Sequence, residues 1–136
     1  VTPDELEQLR EDWEFEAKKA GGRDGLGSVP ASFWETFSAM ANTEGGIILL
    51  GAKERPDGSL QPIGLVEIDR VEKDFWTTAQ NSQKISSNVL QRSDVERVEW
   101  DEKQLLLFRI PKAGRAERPV YLNQSVENGT YVRVHE

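Results

Sequence analysis

The sequence predicts an α+β domain, with about three helices packed on a mixed, mostly antiparallel sheet. Three observations lead there. An amphipathic helical stretch ends at Asn42-Thr43-Glu44-Gly45-Gly46, and a fully apolar strand, Ile47-Ile48-Leu49-Leu50, follows with no linker. Ile68, Val71, Phe75 and Ala79 repeat at helical spacing. Hairpin signals then recur toward the end of the chain.

Thr2-Pro3-Asp4-Glu5 is a capping-box pattern with proline at the first helical position, so a short helix begins there. Trp13, Phe15 and Ala17 then alternate with Glu14, Glu16 and Lys18, which is the period of a strand. A glycine-rich loop over 21–28 closes at Pro30. The next helix covers 31–42 and carries Phe33, Phe37, Met40 and Ala41 on one stripe. The strand over 47–52 is apolar on both faces and belongs in the middle of its sheet. Pro56-Asp57-Gly58-Ser59 is a turn from which 60–65 returns as a hairpin partner. The third helix starts near Ile68 and ends near Gln80, and the polar stretch 81–94 shows no usable period. Val98 and Trp100 pair with 105–110 around a turn at 101–104. Residues 120–122 and 130–134 flank Asn128-Gly129, a further hairpin signal. Trp34, Trp76 and Phe75 fall on helical stripes and so belong to the core.

Length and composition limit the function. A chain of 136 residues makes a single domain with a real core, and 37% hydrophobic content with four Trp and five Phe is that of a globular chain. Its start without Met and its stop just after a strand read as an N-terminal domain cut from a longer protein, with an excised initiator Met the other explanation of the start. Without cysteine there is no disulfide, thiolate metal site or Cys nucleophile. No apolar run approaches the roughly 20 residues that span a bilayer, and no signal peptide opens the chain, so a cytoplasmic location without a membrane partner is expected. Walker, GxGxxG and Ser/His/Asp patterns are missing, which leaves an autonomous ATPase site unsupported.

The net charge of −7 is unevenly spread. Residues 1–16 hold seven acids against Arg10 alone, whereas residues 103–135 hold six bases against Glu117 and Glu127. Lys112, Arg115 and Arg118 recur every three residues in a Pro/Gly loop and, with Arg109 and Arg133, form a candidate phosphate-binding surface. Solubilising loop charge is the competing reading. At the acidic end, Glu14 and Glu16 project from one strand face with Lys18 beyond; Glu11 lies near the strand entrance and Glu54 just past the apolar strand. Three such carboxylates around one point, with no His or Cys beside them, would suit Mg²⁺ or Mn²⁺ and phosphodiester chemistry. The competing reading is a solvated strand face. The corner Asn42, Thr43, Glu44, Gly45 and Gly46 is a candidate for backbone contact with a ligand, or simply a helix cap and turn. His135, at the chain end, is read as solvent-exposed.

Glu16-Ala17-Lys18, Ser38-Ala39-Met40-Ala41-Asn42-Thr43-Glu44-Gly45-Gly46, Ile48-Leu49-Leu50-Gly51, Arg118-Pro119-Val120-Tyr121 and Tyr131-Val132-Arg133-Val134 occur in an order that resembles one family. That family is the Schlafen/AlbA-like DNA-binding domain, also described as a divergent AAA-type domain, in the bacterial form that heads longer transcriptional regulators or ATP-binding proteins. The resemblance implies a nucleic-acid-binding regulatory domain, with DNA the expected partner before RNA, no cofactor needed for binding, and any ATP site outside this segment. Animal Schlafen proteins carry a related domain that cleaves structured RNA with two Glu and one Asp as metal ligands. Carried over, the two Glu fall on Glu11 and Glu16, and the Asp falls at Lys53 or Glu54. Lys53 would abolish that ligand and Glu54 would lengthen it. A metal-dependent ribonuclease of this type, with Glu11, Glu16 and Glu54 holding Mg²⁺ or Mn²⁺ and Lys18 steadying transition-state charge, is therefore one alternative, and a protein-interaction or homo-oligomerisation module is another.

Overall fold

A computed structural model describes residues 1–21 and 28–133. Thr2 caps the first helix, α1 (Pro3–Asp12), its hydroxyl accepting the Glu5 N–H at 3.2 Å. Strand β1 (Phe15–Lys18) follows, then α2 (Ala31–Ala41), β2 (Gly46–Leu50), β3 (Ala52–Glu54), β4 (Leu60–Pro62) and α3 (Ile68–Ala79). A 3-10 turn (Arg92–Asp94) leads into β5 (Val95–Trp100) and β6 (Lys103–Ile110), and a one-turn helix, α4 (Val126–Gly129), comes last.

The main sheet runs β1-β2-β6-β5. β1 lies parallel to β2, with Phe15 beside Ile47 and Glu16 beside Ile48, and the other two pairings are antiparallel. The expected mixed, mostly antiparallel sheet is thus present, with β2 inside it. Every residue of β2 is buried because both faces are covered. Ile48, Leu50, Leu106 and Phe108 pack with Phe33 and Phe37 of α2 and Val71 and Phe75 of α3. Ile47, Leu49, Leu105 and Leu107 pack with Leu6 of α1 and with Ala52 and Leu60 of the β3–β4 hairpin. Each such Leu, Ile, Val or Phe side chain contributes about 1.5–3 kcal/mol on burial, so strands and helices stabilise one another through this double layer.

Three sequence expectations need correction. The apolar strand ends at Leu50, where the chain bends at Gly51, whose carbonyl accepts the Ile63 and Gly64 N–H groups at 2.8 Å. The returning segment therefore pairs with β3 in a separate two-stranded ribbon, not with the central strand. The turn between β5 and β6 is tighter than 101–104: Asp101 and Glu102 alone make it, both left-handed at φ 51° and 64°. Asn128-Gly129 does not turn a hairpin. It ends α4, which Ser125 caps, and pairing shrinks to one bridge between Tyr121 and Thr130. Gly129 is needed there for closeness, because a Cβ would collide with the Leu122 carbonyl. The glycine-rich loop reading falls mostly on residues 22–27, and the expectations for Val134 and His135 on 134–136; both stretches lie outside the described residues.

Phe75 joins the helices to the sheet. Its ring lies 5.4 Å from Trp34 at 4° between planes, 5.8 Å from Phe33 and 4.7 Å from Phe108. Truncation by Phe75→Ala is expected to cost about 3–5 kcal/mol, a large share of the roughly 5–15 kcal/mol typical of a domain. Urea unfolding followed by circular dichroism checks it; a loss below about 1 kcal/mol would mean the cluster closes around the gap.

Candidate nucleic-acid interface

The corner between α2 and β2 is held by its own side chains. Asn42 Nδ2 donates to the carbonyls of Val120 at 2.9 Å and Tyr131 at 3.0 Å, while Asn42 Oδ1 accepts the Val120 N–H at 2.7 Å. One turn earlier, the buried Ser38 hydroxyl donates to the Val120 carbonyl at 2.8 Å and accepts the Tyr131 N–H at 3.1 Å. The Thr43 hydroxyl donates to the Ala39 carbonyl at 2.7 Å and accepts the Arg133 N–H at 3.0 Å. Polar side chains at the helix end thus take the place of a strand partner for the segments around 120 and 131–133. The glycines serve the same closeness. Gly45 has φ +77°, and a Cβ on it would fall 2.5 Å from the Ile110 carbonyl oxygen; one on Gly46 would fall 2.6 Å from Met40 Sδ. The close backbone approach at this corner is to the chain itself. Glu44 is exposed and pairs with Lys112 at 3.6 Å.

Five basic residues stand out in the sequence, and the structure divides them into two groups. Arg109 Nη1 pairs with Glu96 at 3.0 Å, Lys112 with Glu44, and Arg133 Nη2 with Glu16 at 3.1 Å. Arg115 and Arg118 are exposed and, among the described residues, neither guanidinium has a carboxylate partner. These two line an open groove of about 390 Å³ together with Asn42, Pro119, Thr130 and Val132. The groove is therefore seated on the Asn42 clamp, and its two free cations face solvent.

The acidic residues are arranged differently from a three-carboxylate cage. Glu16 and Lys18 share a face of β1, as the alternation implied, and Glu16 accepts Arg133 on one oxygen with Lys18 4.0 Å from the other. Glu54 pairs with Arg10 at 3.8 Å, and that guanidinium lies over the Phe15 ring. Phe15 packs against the α1 side of the sheet, whereas Arg133 binds Thr43 at the end of α2, so Glu16 and Glu54 are held on opposite sides. Glu11 is exposed on α1. Among the described residues no group of three or more His, Asp or Glu side chains is placed to hold a metal ion. Each of Glu16 and Glu54 instead has a cation of its own.

One residue at this end of the sheet is not where the alternating pattern put it. Trp13 precedes β1 and is 53% exposed, whereas Trp34 and Trp76 sit in or against the core as expected. Its place between Asp12 and Glu14, at the exit of a capped helix, is the only sequence signal that it leaves the strand.

A family model described as Schlafen, AlbA_2 matches residues 8–136. The chain belongs to this family. Among solved structures, this Schlafen/AlbA_2 domain is similar to the N-terminal domain of an ATP-dependent DNA helicase RecG-related protein from Nitrosomonas europaea. They share 27% identity over 98% of this chain and 86% of that one, with a TM-score of 0.64. It also matches the DIP2311 protein of Corynebacterium diphtheriae at 20% identity and a TM-score of 0.52, over 80% of this chain and 19% of that longer one, which shows the fold alone. Among curated proteins none matches. No helix of the described residues is long and apolar enough to cross a membrane.

Two outcomes follow for the Schlafen/AlbA_2 domain. Asn42→Ala would leave the Val120 N–H and the Tyr131 carbonyl without partners, while Ser38 still holds the Val120 carbonyl and the Tyr131 N–H, at a cost of about 2–3 kcal/mol; hydrogen exchange should be faster than in the parent at the Val120 amide and unchanged in β2. The second concerns Glu96. Burial opposes its charge, but hydrogen bonds from the Val1 amine and the Arg109 guanidinium outweigh this and hold its carboxyl below the ordinary 4.5. Stability from the pair is present above the unfolded value and is lost as pH falls through the lower folded one. Arg109→Gln should therefore lower the melting temperature at pH 7 and converge with the parent in strong acid, as paired calorimetric scans would show.

Proposed function

We propose that this domain binds nucleic acid, DNA in the first instance, by holding the phosphate backbone against the loop after β6, and that it serves as a regulatory module of a longer protein. One observation carries the reading: Arg115 and Arg118 line an open groove without carboxylate partners, in a chain whose other candidate cations are neutralised. Arginine suits phosphate because its planar fork donates two parallel hydrogen bonds. The groove is built on Asn42, Ser38 and Thr43, so its walls are fixed by backbone bonds and lose little freedom on binding. Family membership and the helicase-related name of the Nitrosomonas europaea protein support the choice of nucleic acid, and of DNA in particular.

Two free arginines on a chain of net charge −7 imply weak, mainly sequence-independent binding that falls as salt rises. The test is a fluorescence-anisotropy titration with labelled DNA in chelator across a salt series. Arg115→Ala with Arg118→Ala should weaken binding about tenfold or more and flatten the slope of log K against log salt by about 1.4–1.8. An unchanged affinity and slope would remove this surface from consideration. No binding by the parent domain at low salt would remove autonomous nucleic-acid binding altogether.

A further inference from the structure

The first contact of α1 with the sheet leaves a second opening beside the arginine groove. A cavity of about 230 Å³ is walled by Leu9, Ile47, Ile110 and Pro111, with Trp13 at its rim. It is smaller than the roughly 300–1,000 Å³ of ordinary ligand pockets and takes about one flat ring. Asp94 and Arg109 supply an acceptor and a donor at its edge. Trp34 stacks on Phe75, Trp76 lies beneath Arg92, and Trp100 packs against the core. The Trp13 ring makes no hydrogen bond or ring contact with another described residue and stands open to solvent.

The cavity opens on the α1 side of the sheet and the arginine groove at the end of α2, and residues 111–113 link the two around one rim. Pro111, in the cavity wall, is followed by Lys112, and the Ala113 N–H bonds the Ala41 carbonyl at 2.8 Å, next to Asn42 in the groove. Resting on the phosphate-binding reading above, we propose that Trp13 and its cavity take up one unpaired nucleobase of a strand whose phosphates lie on Arg115 and Arg118. A flat, uncharged ring suits the apolar walls and stacks on the open indole, and the backbone it belongs to carries the charge that the neighbouring arginines lack. A base inside a duplex cannot enter. The domain thereby favours single-stranded or locally unpaired nucleic acid over continuous duplex.

Anisotropy titrations of Trp13→Ala, Trp13→Phe and the double arginine variant against single-stranded and duplex DNA separate the two readings. Trp13→Ala is expected to weaken single-strand binding about tenfold, to leave the salt slope and duplex binding unchanged, and to be largely rescued by Trp13→Phe. The parent's tryptophan emission should be quenched by single strands and not by duplex, and Trp13→Phe should abolish that quenching. Circular dichroism checks that the variants fold, since the Trp13 N–H still bonds the Leu9 carbonyl at 3.0 Å whatever the side chain. If the parent binds and the arginine variant does not, while Trp13→Ala binds single strands as the parent does, the base pocket is overturned and the phosphate reading stands. If Trp13→Ala instead converts a dimer of the free protein to monomer in sedimentation, the cavity holds a second copy and the proposal fails. Absence of binding by the parent overturns both.

Discussion

The arrangement around the arginine groove depends on the side chain of Asn42. The chain after β6 has no strand of its own beyond single bridges, so its backbone N–H and C=O groups around 120 and 131–133 lack a ladder. Buried backbone groups without partners are costly, and an amide side chain is one of few that can donate and accept at once. Asn42 does both, and Ser38 and Thr43 extend the pattern along one edge of α2. Aspartate in that place could not donate to two carbonyls; leucine could do neither. The loop bearing Arg115 and Arg118 is fixed at its far end by Val120, and Arg133 is brought against Glu16, because this one helix end serves as a surrogate strand.

Charge pairing then decides which cations are available. Glu16, Glu44 and Glu96 each lie within 4.0 Å of a basic side chain from the candidate surface, so an acidic chain neutralises most of its own basic stripe. Ion pairs this exposed contribute little to stability, about 0–1 kcal/mol, but they change what the surface offers to a polyanion. Glu16 illustrates the point twice: its bond to Arg133 withdraws a cation from the groove side and a carboxylate from the acidic side. The electrostatic character of the surface therefore resides in two residues rather than five.

Packing produces the other feature of this end of the sheet. β1 and β2 are parallel, so α1 must deliver the chain to the same end of the sheet at which α2 delivers β2. Trp13, the corner at Gly45 and the exit from β6 consequently meet at one rim, and the apolar cavity forms where α1 leaves the sheet. An exposed aromatic, an apolar recess and a basic loop are brought together by chain direction alone.

The sequence by itself determined the layers. Helical stripes in α2 and α3, the two-sided apolar β2 and the hairpin of β5 and β6 were all legible, because burial imposes a period on side chains and the period survives in the sequence. The Ala-Asn-Thr-Glu-Gly-Gly corner was legible as a special place, though not as a clamp, since hydrogen bonds across 78 and 89 residues leave no local trace. Only the tertiary structure decided that Glu16 and Glu54 stand on opposite sides of the sheet, that three of five cations are paired, and that Trp13 leaves the core. Those outcomes depend on which segments meet in space. Periodicity records which face a residue takes, and carries no information about what it will find there.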